Sequence, residues 1–185
     1  MGIGKSGIFL IAICLSVVSL ATLGTDQKTT RAPGEGWKTG VRASHQERGY
    51  CHLLGWTEAE SGAYYVFASA IFAPKINADE TDASEINLYF YTVALKPGAS
   101  EELKNQLRSN GPIMESKLEG WVQSLTEAVF LPGVEMDALS GSTIQAAIPD
   151  PAHSVSIEIR ATATVDQDRF IDFQEVELNV GPMAR

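Results

Sequence analysis

The sequence predicts an α+β domain, an antiparallel sheet of four or five strands formed from two hairpins, with one or two helices packed on one face. Three observations predict it. Residues 153–165 alternate, with Val155, Ile157, Ile159, Ala161, Ala163 and Val165 in one phase and Ser154, Ser156, Glu158, Arg160, Thr162 and Thr164 in the other. That period of two marks a strand with one wet side. Residues 62–73 and 86–95 are dense in aromatic and β-branched side chains in both phases, as expected of strands buried on two faces. Between the two pairs, apolar residues recur at helical spacing, so the order is strand, strand, helices, strand, strand, with no alternating βαβ unit.

The chain begins with an export leader. Lys5 precedes an apolar run over 7–23, and Ser19 and Ala21 place small residues at −3 and −1 of a cleavage site, so residues 1–21 read as a signal peptide. The alternative is an uncleaved anchor: the run is 17 residues long, against about 20 for a spanning helix. Cys14 follows Ile13 rather than a small residue, which argues against a lipoprotein signal. Gly2 and Ser6 match the loose myristoylation pattern, but an export leader begins at once and the match fits chance.

Residues 22–48 are polar, rich in Gly, Thr and charge, with one isolated aromatic, Trp37; they read as a flexible linker. Residues 49–185 are long enough for a single domain. Its first stretch, Tyr50, Cys51, Leu53, Leu54 and Trp56, reads as an apolar entry into the core.

After the strand over 86–95, Lys96-Pro97-Gly98 ends the pairing, and Ser100 caps a helix carrying Glu101 and Glu102 in its first turn and Leu103 and Leu107 on one stripe. Asn110-Gly111 stops it. Met114, Leu118, Trp121, Val122, Leu125 and Val129 then predict a longer helix over 112–130, ended by Pro132-Gly133. Residues 134–149 give no clear assignment beyond a short edge strand over 143–148, stopped by Pro149-Asp150-Pro151. In the closing strand over 170–180, Ile171 and Phe173 share one phase and Val176, Leu178 and Val180 the other, a slip that predicts a β-bulge near Gln174 and Glu175.

Charge divides the chain. The linker carries +2, whereas the remainder from Gly49 holds 8 basic and 20 acidic residues, a balance of −12. Such a field repels phosphate backbones, and no basic stripe with interleaved aromatics offsets it, so nucleic acid is not expected as a partner and contact with a membrane is expected only through the N-terminal segment.

With the leader removed, Cys51 is the one cysteine left. Its candidate catalytic partners are His153 and His45, since His52 is adjacent in an extended stretch and faces the other way. The simpler reading is a thiol that fills space as a small hydrophobe. The loop Asn77, Asp79, Glu80, Asp82 and Glu85 offers calcium-type oxygen ligands, but the EF-hand pattern fails at Asp82 and Leu88, and a solvated acidic loop explains it. GxxxxGK followed by Ser or Thr, GxSxG, HExxH and CxxC are all missing, and no cofactor is expected.

These readings favour an exported, periplasmic, secreted or envelope-tethered domain without catalysis, which binds a protein or assembles in the envelope. Two alternatives stand beside it: a small-ligand or calcium carrier, with Tyr64, Tyr65, Phe67, Tyr89 and Tyr91 around a cavity, and a thiol-dependent enzyme using Cys51.

Overall fold

The computed structural model describes residues 40–42, 50–72, 85–109, 112–165 and 170–183. The expected leader, most of the linker and the acidic loop through Asp79, Glu80 and Asp82 lie outside the described residues; Glu85 opens a strand, but its side chain is not described.

The described chain is mostly antiparallel sheet with two short helices. Its strands are β1 (Gly40–Arg42), β2 (Tyr50–Ala59), β3 (Gly62–Phe72), β4 (Glu85–Leu95), β5 (Ile113–Met114), β6 (Ala128–Leu139), β7 (Ser142–Asp150), β8 (Val155–Val165) and β9 (Phe170–Pro182). Helix α1 (Glu101–Ser109) precedes β5 and α2 (Glu115–Gln123) follows it. The sequence predicts one sheet; the structure has two, a five-stranded sheet in the order β5-β2-β3-β4-β6 and a four-stranded sheet in the order β1-β9-β8-β7. Every pairing is antiparallel.

Three layers result. Tyr64, Val66, Ala68, Leu88, Phe90 and Leu131 of the larger sheet pack against Ile144, Ile148, Ile157, Ile159, Phe173 and Leu178 of the smaller one. Within this layer Phe90 and Phe173 meet edge-on, with ring centroids 6.3 Å apart and planes at 63°. The opposite face of the larger sheet, carrying Leu53, Tyr65, Phe67, Tyr91 and Val93, packs on Leu103 and Leu107 of α1 and Leu118 and Val122 of α2. The both-phase apolar character of β3 and β4 follows from this: helices cover one face and a second sheet covers the other.

The capping residue of α1 is as predicted, since Ser100 Oγ accepts the Leu103 N–H at 3.3 Å. The long helix over 112–130 is not formed. Ile113 and Met114 pair with Cys51 and Tyr50 as β5, α2 stops at Gln123, and Val129 lies on β6, 48% exposed. Ser124 ends the helix, its N–H and hydroxyl both donating to the Trp121 carbonyl at 3.0 and 2.6 Å. The chain then leaves the helix layer through Thr126 and Glu127, held by Lys96, which donates its backbone N–H to Glu127 O at 2.9 Å and its ammonium to Thr126 O at 2.7 Å. Helical spacing in 112–130 is thus shared by a strand, a short helix and a second strand.

Pro132-Gly133, expected as a helix stop, falls where β6 slips register against β4 between Phe90 and Thr92. A bulge there tolerates a residue that lacks a ladder donor. A side chain at Gly133 would come within 3.0 Å of the Tyr91 ring, so the strands approach closely at this point. The bulge predicted in the closing strand is present. β9 slips against β8 between Arg160 and Thr162, and Glu175 has φ 53°. The edge strand expected over 143–148 is the longer β7, and Gly40–Arg42, read as linker, is a strand on β9.

Candidate functional site

Cys51 lies on the helix-facing side of β2, fully buried, with its thiol donating to Ile113 O at 3.3 Å. Burial pushes the thiol up from 9.0 to about 12, and the Glu115 carboxylate nearby adds to the rise. A thiol held protonated and out of solvent is a poor nucleophile. Its candidate partners are elsewhere. His45 lies outside the described residues. His52 pairs across the ladder with Ala68, a residue of the inter-sheet core, and so faces away from Cys51 as the sequence predicts. His153 sits in the β7–β8 turn, in contact with a residue that bonds to the inter-sheet face of β3. The five-stranded sheet therefore stands between the sulfur and that imidazole.

His153 belongs instead to a polar cluster that joins the two sheets. Asp150, at the end of β7, is 2% exposed. Its Oδ2 lies 2.7 Å from His153 Nδ1 and 3.1 Å from the Tyr64 hydroxyl, which in turn is 2.8 Å from Ser61 Oγ. A phenol has one hydrogen and an ionised carboxylate only accepts, so Tyr64 donates to Asp150 and the Ser61 hydroxyl donates to Tyr64. Burial pushes the Tyr64 phenol up to about 12; Ser61 opposes the rise and Asp150 adds to it. The Asp150 contact sets neutral His153 as its Nδ1–H tautomer, leaving Nε2 as the acceptor on a ring 39% exposed.

The turn is short and locally tied: His153 N–H donates to Asp150 O at 3.3 Å, Ser154 takes φ 57°, and its carbonyl accepts from Met183 N–H at 3.1 Å. The sequence shows Pro149 and Pro151 as a strand stop; it gives no sign that the aspartate between them is buried against a tyrosine 86 positions away.

The aromatic strand residues do not converge on one cavity. Tyr64 enters the inter-sheet core, while Tyr65, Phe67, Tyr89 and Tyr91 enter the helix-side core. Tyr89 donates to Glu135 Oε1 at 2.7 Å and Tyr91 to Glu115 Oε2 at 2.8 Å. Among the described residues no group of three or more His, Cys, Asp or Glu side chains is placed to hold a metal ion, and no helix is long and apolar enough to cross a membrane.

One broad surface stands uncovered by the described chain. The outer face of β7, β8 and β9 presents Gln145, Ala147, Glu158, Arg160, Glu177 and Asn179 around a shallow groove of about 520 Å³. The register sets Ala147 opposite Glu158 and Glu158 opposite Asn179, with Gln145 opposite Arg160 and Arg160 opposite Glu177. The small Ala147 leaves the opening, and longer polar side chains wall it. The alternation of 153–165 puts Glu158 and Arg160 on this face, whereas the grouping needs β7, which the sequence leaves mostly unassigned.

Comparison with protein-family models, with curated proteins and with solved structures gives no match.

Proposed function

We propose that this protein is an exported domain that works by binding another protein, and that the outer face of β7, β8 and β9 is the binding surface. The single observation that carries the reading is the contrast between sheet faces: both faces of the larger sheet and the inner face of the smaller one are packed, and this one carries an open polar groove. A face of mixed Glu, Arg, Asn and Gln side chains around a small residue is suited to a polar, water-bridged protein contact. Export is supported by the leader pattern over 1–21 and by a folded part with a −12 balance, which favours solubility over contact with anionic surfaces. The thiol-dependent alternative draws no support from Cys51, buried and held protonated.

A photo-reactive side chain placed at Gln145 tests the surface in cells of the source organism. The reading expects a heavier adduct from position 145 and none from position 119 on the exposed side of α2. Adducts from both positions, or from neither, would contradict it. N-terminal sequencing tests export: Thr22 as the first residue is the expected product, and an intact Met1 in cytosol is the contrary one.

A further inference from the structure

We propose that the partner enters as an extended strand on the free edge of β7, with a lysine or arginine of that strand reaching over Ala147 to Glu158. The inference rests on the reading of the outer face of β7, β8 and β9 as the binding surface and names the chemistry of what docks there. It starts from how the sheet edges differ. β5 is two residues long, and β1 already lies on β9. The two long edges are β6 and β7, which among the described residues pair on one side only, with β4 and β8.

β6 carries features that discourage a further strand. Pro132 and Gly133 sit at its bulge, and Glu135 and Asp137 are exposed along it. β7 lacks these features. Its nine residues keep an unbroken register with β8, no charged side chain occurs from Ser142 to Ile148, and its one proline, Pro149, falls next to the turn. A long, straight, uncharged edge is a template for a visiting strand, whose main chain supplies affinity and whose alternate side chains supply specificity.

Side-chain phase sets what that strand must carry, because directly opposed residues share a face. On the inner side Ile144 and Ile148 are buried and Ala146 is half-buried against the inter-sheet core, so the visiting residue beside Ala146 is apolar. On the outer side Ala147 lies between the visiting strand and Glu158, its partner on β8. Ala147 ends at Cβ, so a long side chain opposite it can cross the two strand spacings, about 10 Å, jointly with the glutamate. Glu158 is exposed and makes no ion pair among the described residues. Charge also favours a basic strand over a second copy of this chain: the part from Gly49 onward carries −12, so two copies repel and a cationic segment is attracted.

A short end-blocked peptide alternating valine with lysine, added to the processed full chain, tests the proposal by fluorescence anisotropy and hydrogen exchange. It is expected to bind about tenfold more tightly than the same peptide with glutamate for lysine, and Glu158→Lys is expected to reverse that order. N-methylation of the peptide's backbone amides keeps its charge, removes its strand hydrogen bonds and should weaken binding about tenfold. Bound peptide should slow exchange of β7 amides about fivefold and leave β3 and β4 unchanged. No binding, equal binding of the N-methylated peptide, an order unchanged in Glu158→Lys, protection of β6 in place of β7, or a dimer of the chain that protects β7 without peptide would overturn the proposal. If the Gln145 adduct forms in cells and the peptide fails, strand addition falls and the binding face stands; if no adduct forms, the face falls and this inference falls with it.

Discussion

Asp150 Oδ2 accepts hydrogen bonds from Tyr64 at 3.1 Å and from His153 at 2.7 Å, so one buried carboxylate ties the larger sheet to the β7–β8 turn of the smaller. Hydrogen bonds to a charged group contribute about 1.5–3 kcal/mol each, and removing the acceptor strands the buried phenol. Asp150→Ala should therefore lower unfolding stability by about 2–4 kcal/mol, and Tyr64→Phe by about 1–2 kcal/mol. The two changes should be strongly non-additive in a urea-denaturation cycle. Additive losses would mean that the contact carries no coupling.

Cys51 should behave as packing. In the native protein at pH 8 its thiol should resist iodoacetamide for hours and react within minutes in denaturant, because burial holds it protonated. Cys51→Ala should cost about 1–2 kcal/mol through the lost sulfur contacts. Mass spectrometry of the alkylated protein checks the first expectation and urea denaturation the second.

Alkaline pH should unfold the domain. Cys51 and Tyr64 are acids whose values rise on folding, from 9.0 and 10.0 to about 12 each. Their unfolded forms lose protons first, so the unfolded state binds fewer protons and stability falls as pH rises. The contribution is fully present below pH 9 and is lost progressively between about 9 and 12. Urea midpoints at pH 8, 9.5 and 10.5 should decline in that order, and Tyr64→Phe should flatten the decline.

The docking of α1 should depend on Arg108. Its guanidinium lies 5.2 Å above the Trp56 ring and 6.0 Å from that of Tyr65, with Glu58 Oε1 3.4 Å from one of its nitrogens. Cation–π contact of this partly buried kind contributes about 1–2 kcal/mol. Arg108→Ala should lose about that much stability and change Trp56 fluorescence, whereas Arg108→Lys should recover part of both.

What the sequence showed and what it hid have physical causes. β8 was legible because one face is wet: Ile157 and Ile159 alternate with Glu158 and Arg160. The bulge at Glu175 was legible for the same reason, since a slipped phase shows only against a clear alternation. The helix expected over 112–130 failed because Met114 and Val129, spaced to suit a helix, belong to β5 and β6, where pairing with Tyr50 and Ala94 decides their conformation. The second sheet was hidden because no local pattern says whether two hairpins share hydrogen bonds or stack. In the candidate site, Glu158 and Arg160 could be placed on an outer face from sequence, while the Asp150 contact to Tyr64 required the fold.

The central claim is that the outer face of β7, β8 and β9 is where this protein meets its partner. Carboxyl footprinting, comparing the protein in its native compartment with the purified chain, tests it most directly. The account predicts that labelling of Glu158 falls several-fold in the native compartment while Glu102 and Glu119 on the helix layer label equally in both. Equal labelling of Glu158 in the two samples, or protection confined to the helix layer, would contradict it.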